Sequence, residues 1–196
     1  MNIKIELNKD DYSKIIRSMR DVEKSEESVL KTAVNNTAKR AQRLLIKRAG
    51  KTYVGEVARQ ERIKSASEII KGQVKNPTTV IRFSSTVHEI KEFHVSSLVA
   101  TRTMQGNVLR GASKTLEGTS GKAFVVRFKS GHQAVVQRVQ GAKMKSNPKK
   151  EKLKKLLGPS YMKMIGGEKV YKPDEVTELL HEELGKIMSK VLGGGR

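Results

Sequence analysis

Cysteine and tryptophan are both absent from this 196-residue sequence. Without thiols there is no disulfide framework, no Cys-based zinc site and no thiolate nucleophile, which excludes zinc fingers and zinc ribbons as readers of nucleic acid. Aromatic residues make up only 4% and hydrophobic residues 36%, so the core has to be built from Val, Ile, Leu, Ala and Met. A chain of this size buries about two-thirds of its unfolded surface. So thin an apolar supply predicts an extended shape, or burial completed by neighbouring subunits. No window approaches the roughly eighteen apolar residues that span a bilayer, and "MNIKIELNKDDY" has no apolar run behind its charges. The expected setting is the cytoplasm, with no membrane partner.

What the sequence has in excess is positive charge. Forty Lys and Arg against twenty Asp and Glu give a formal charge of +20 and a pI near 10.2. That surface calls for an anionic partner, and charge alone does not choose among nucleic acid, an acidic protein surface and an anionic membrane.

Along the chain, Ile3, Ile5 and Leu7 alternate with polar residues and predict a short half-buried strand. Asp10 and Asp11 offer caps for a helix carrying Tyr12, Ile15, Ile16, Met19 and Val22. From about Ser25 to Ala49, Val29, Leu30, Ala33, Val34, Thr37, Ala38, Ala41, Leu44 and Leu45 recur at steps of three and four, which predicts a long amphipathic helix stopped by Gly50. Its outward face carries Lys31, Lys39, Arg40, Arg43, Lys47 and Arg48. A shorter helix is expected from Gly55 to Ser65.

From Gln73 the texture becomes β-branched. "VKNPTTVIRFSS", "IKEFHVSS" and the hairpin "KAFVVRFKSGHQAVVQRV" predict a small, mostly antiparallel sheet of four or five strands, with Phe124, Val126 and Phe128 on its core face. Residues 101–121 are polar and Gly-rich and read as a long loop that a partner orders. Residues 141–157 form the most basic stretch, in which Lys143, Lys145, Lys149, Lys150, Lys152, Lys154 and Lys155 are opposed only by Glu151. Such runs are commonly exposed and disordered when free. Pro173 and Asp174 open a C-terminal amphipathic helix that Gly193 to Gly195 close. The order is a strand, a helical third, a sheet and a final helix, in one α+β domain spanning residues 1–196.

Enzymatic readings find little footing. His88, His94, His132 and His181 lack the spacing of a zinc helix, "GTSGK" lacks the upstream glycine of a phosphate loop, and the acids gather at Asp10 to Glu27 and Asp174 to Glu183, where helix capping and solubility explain them. No catalytic residue, cofactor or metal is expected. A non-specific nucleic-acid binder acting through charge is the rival reading, since the eight aromatics do not form a stacking platform.

Taken in order, "VLKTAVNNTAKRAQRLLIKRAGKTY", "GKAFVVRFKSGHQAVVQRV" and "LLGPSYMKMIG", with the closing helix, resemble the minor tail protein Z family of tailed phages, the tail completion proteins. The most telling pieces are Ala123-Phe124, Ser130-Gly131-His132 with Arg138, and Gly158-Pro159-Ser160. The resemblance implies a structural virion protein at the head-proximal end of a phage tail or tail-like particle, assembled in the bacterial cytoplasm. It implies a ring subunit, hexameric by the symmetry of such tails, between the tail terminator or tail tube protein and the connector or collar proteins, with DNA in the channel. On that reading the seven lysines from Lys143 to Lys155, then Arg40, Arg43, Lys47 and Arg48, meet DNA or an acidic neighbour. Arg127, His132 and Arg138 are placed at a subunit interface, and the first strand or the last helix bridges subunits.

Overall fold

In the computed structural model, residues 2–7, 10, 13, 17, 26–96, 104–118 and 121–193 are described. Tyr12, Ile15, Ile16, Met19 and Val22, expected on a helix, lie outside them. The fold is α+β, and its residues gather into two compact units: Met1–Arg48 with Lys64–Ser84 and Ile165–Arg196, and Ala49–Ile63 with Ser85–Met164.

The first unit is organised by the long helix α1 (Glu26–Thr52). Val29, Leu30, Ala33, Val34, Thr37, Ala38, Ala41 and Leu45 are all buried, so the predicted stripe is the real one; Leu44 is only half-buried, and Ile46 and Ala49 extend the stripe. The helix runs through Gly50 to Thr52 and does not stop where expected. One glycine costs a helix only about 1 kcal/mol relative to Ala, which burial of the adjoining turns outweighs.

Strands β1 (Asn2–Ile5), β2 (Ser67–Ile70) and β3 (Thr79–Phe83) form an antiparallel sheet in the order β1-β3-β2. Ile3 and Ile69 flank Ile81 across the sheet, and Ile3, Ile5, Thr79, Ile81 and Phe83 are buried on one face. The N-terminal strand, expected as a bridging element, is thus paired within its own chain. Polar contacts join helix to sheet: the Asn35 side chain accepts from the Gly72 amide at 3.0 Å and from the Thr79 hydroxyl at 2.7 Å, and donates to the Gly72 carbonyl at 3.2 Å.

In the second unit, α2 (Gln60–Ser65) follows a single 3-10 turn at Glu56–Ala58, so the predicted helix from Gly55 is broken in two. The sheet expected here is divided. Strands β4 (His94–Val95), β5 (Gln105–Asn107) and β6 (Lys114–Thr115) form one short antiparallel sheet, β7 (Glu117–Gly118) and β8 (Gly121–Lys122) a ribbon, and β9 (Phe124–Arg127), β10 (Gln133–Met144) and β11 (Asn147–Lys155) the largest sheet, in the order β11-β10-β9. Within 101–121, then, the described residues include four short strands where a loop was expected. The hairpin turn is as read: Gly131 takes φ +80°, and the Phe128 amide donates to the His132 carbonyl at 2.8 Å. The lysine-rich segment is not irregular. It is β11 and the end of β10, paired from Val136↔Lys155 to Met144↔Asn147.

The chain closes with the short helix α3 (Tyr161–Ile165) and then α4 (Pro173–Gly193), of which Val176, Leu180 and Leu184 are buried. No described helix is long and apolar enough to cross a membrane.

Candidate functional site: a lysine-lined hairpin

The basic residues singled out in the sequence divide into those with a partner in the chain and those without. On α1, Arg40 donates to Glu183 at 2.6 Å and to Glu182 at 2.8 Å, while Arg48 pairs with Glu175, so two of the predicted contact residues join α1 to α4. Hydrogen bonds from Arg40 to Glu182 and Glu183 raise the Arg40 pKa further above its ordinary value. Burial pushes the Glu183 carboxyl up, and the Arg40 hydrogen bond with the Lys186 charge outweighs it, leaving its pKa lowered. Three acids of α4, Glu175, Glu182 and Glu183, read in the sequence as caps and solubilising charge, are ion-pair partners. Lys39, Arg43 and Lys47, at steps of four, remain exposed as a stripe one helix face wide.

Among the described residues, the largest concentration of cations without an ion pair lies on β10 and β11. Every residue from Gly141 to Lys150 is exposed or half-buried. Of the seven lysines from Lys143 to Lys155, only Lys155 makes an ion pair among the described residues, with Glu89 at 3.0 Å. Opposed residues on paired strands share a face. Lys154 stands opposite Gln137 and Lys152 opposite Val139 on one face, while Leu153 stands opposite Arg138 and Lys155 opposite Val136 on the other. Between Val139↔Lys152 and Lys143↔Glu151 the register slips by three residues on β10. Such a bulge bends the strand, and here the hairpin end, with Met144 to Ser146, borders a groove of about 630 Å³ that reaches Phe128 and Leu153.

The three residues assigned to a subunit interface do not share a face. Arg127 opposes Gln133, on the Lys152 and Lys154 side, and is exposed. Arg138 lies on the opposite side, its guanidinium 5.2 Å from the Phe124 ring. His132 is held within the chain: Nε2 lies 3.0 and 3.1 Å from the two Glu89 oxygens, and Nδ1 lies 3.5 Å from the Lys91 ammonium. A ring that donates from Nε2 and accepts at Nδ1 satisfies both contacts. Phe128, expected in the core, is 36% exposed, stacked on His132 at 6.1 Å with the Lys155 ammonium 5.8 Å from its ring.

Sequence reasoning did not bring Glu89 together with His132 and Lys155, yet it gathers Lys91, His132 and Lys155 from three separate segments. Forty-three residues separate Glu89 from His132, and no local pattern connects them. His88 is largely buried, its ring 4.4 Å from Tyr161 and its Nδ1 3.6 Å from Glu92. Gly158 and Ser160 also acquire physical roles. A side chain at Gly158 would run into the buried Phe93 ring at 2.2 Å, and the buried Ser160 offers its carbonyl to the first turn of α3.

Searches against protein-family models, curated proteins and solved structures found no match. The chemistry of the site therefore rests on its own residues.

Burial raises the Glu89 pKa, but the Lys155 hydrogen bond and the Lys91 charge outweigh that effect and hold it below its ordinary 4.5. A carboxylate whose pKa is depressed by folding stabilises the protein above the ordinary value and loses that contribution as pH falls through the lower, folded-state value. Glu89→Gln should cost about 1–2 kcal/mol at neutral pH. In thermal melts the gap between wild type and variant should narrow steadily from pH 5 to pH 3; a gap that stays constant would show that the carboxylate charge contributes nothing.

Proposed function

We propose that this protein is a structural component of a phage tail or tail-like particle, acting at the head-proximal end as a ring subunit that helps join tail to head. The observation that carries the reading is the β10–β11 hairpin, an ordered arm whose lysines, Lys155 apart, have no described carboxylate partner. Ordering a strand pair with so many like charges costs self-repulsion, which an anionic neighbour relieves. The sequence resemblance to tail completion proteins supplies the setting, and a ring supplies neighbours for a chain with few large apolar side chains. In a closed ring each subunit presents two different faces. The exposed Arg127 on one side of the β9–β11 sheet and Arg138 on the other suit such an arrangement.

A second reading, charge-based binding to nucleic acid outside any particle, is favoured by the Lys39, Arg43 and Lys47 stripe. Four helical residues rise about 6 Å, close to the distance between successive phosphates along a strand. Mass spectrometry of purified tails separates the two: the assembly reading expects this chain at a fixed ratio to the tail tube protein. Recovery only from host extract, bound to duplex DNA with a steep salt dependence, would overturn it.

A further inference from the structure

The groove beside the β10–β11 hairpin combines two chemistries. Phe128, Met144 and Leu153 supply apolar side chains, and Lys143, Lys145 and Lys152 supply the charge around them. Among the described residues, no acidic one lines it. β11 is also the edge of its sheet, so its outer backbone amides and carbonyls are open to an added strand.

We propose that this groove and edge receive an extended acidic segment of a partner protein, with apolar and acidic side chains in alternation. The proposal rests on the assembly reading and names the partner chemistry for its basic arm. The alternation follows from the register. A strand added beside β11 would send one row of side chains to the Leu153 face, where Phe128 and Met144 border the groove, and the other row to the face of Lys152 and Lys154. Leucine-like residues fit the first row and Asp or Glu the second. A phosphodiester backbone offers nothing to the apolar floor. An acyl chain would satisfy the floor and leave the open edge unpaired.

The test is binding of a fluorescein-labelled decapeptide of alternating Asp and Leu to the full chain, measured by anisotropy. It is compared with an Asp-Ser alternating peptide, a block peptide of five Asp then five Leu, a 20-base-pair DNA duplex, and vesicles of phosphatidylcholine with phosphatidylglycerol. The alternating Asp-Leu peptide should bind at least tenfold more tightly than both control peptides. Leu153→Ser and the double variant Lys152→Glu/Lys154→Glu should each weaken it at least tenfold, with unchanged circular dichroism. Met144→Ser, in the hairpin end, serves if Leu153→Ser disturbs the fold. Equal binding of the three peptides, or DNA or vesicle binding that falls as steeply with Leu153→Ser, would overturn the proposal. Loss of peptide binding with undisturbed particle joining would leave the groove assignment standing and count against the assembly role. Blocked joining without peptide discrimination would do the reverse.

Discussion

Replacing Lys145, Lys149, Lys150 and Lys154 together with Glu should reduce joined particles at least tenfold while leaving the fold intact. Each replacement changes the charge by two, so the four take the formal charge from +20 to +12. All four are exposed and lack a described ion-pair partner, so stability should change by less than about 0.5 kcal/mol per site. Lys155 is kept, because a Glu there would face Glu89 in place of their 3.0 Å ion pair and unfolding would then masquerade as failed assembly. The matched control is Lys39→Glu/Arg43→Glu/Lys47→Glu on α1. If the helix variant abolishes joining and the hairpin variant joins normally, the working cations are on α1 and the hairpin assignment fails.

Gly55→Ala should destabilise the protein strongly. Gly55 has φ +88° and ψ −177°, a region in which L side chains are strained by about 1–3 kcal/mol. A methyl group there would lie 2.4 Å from the Glu92 carbonyl oxygen and 2.5 Å from the Phe93 Cα, both backbone atoms. Overpacking against groups that cannot rotate away adds about 1–3 kcal/mol. Together these predict a loss of about 2–6 kcal/mol, a drop in melting temperature on the order of 10 °C for a chain this long. Gly111→Ala is the comparison: it has positive φ but nothing within 4 Å of the added methyl, so it should cost only the backbone term. Equal losses in the two variants would mean that close approach at Gly55 contributes nothing.

Periodicity carried the helices well. In α1 the predicted stripe is buried in full apart from Leu44; in α4 Val176, Leu180 and Leu184 are buried, while Leu179, Ile187, Met188 and Val191, on the same predicted apolar face, are half-buried. The hairpin turn at Ser130-Gly131 was equally plain, since few dipeptides supply a positive φ so readily. The strand at Lys149 to Lys155 was not legible, because lysine is a poor strand former and a run of it looks like solvated coil. It is held by pairing with the valine-rich β10, and lysine is also what edge strands carry to avoid unwanted pairing.

By itself, then, the sequence determined the α+β class, the two amphipathic helices, the hairpin and a large positive charge, all of which depend on local spacing or on composition. Which of those charges remain available was decided by tertiary structure. Arg40 and Arg48 look the same as Arg43 and Lys47 along the chain, yet among the described residues only the first two meet carboxylates, about 130 to 140 residues away on α4. Glu89 joins His132 and Lys155, 43 and 66 residues away, for the same reason: an ion pair needs proximity in space, and folding creates proximity that no sequence interval encodes.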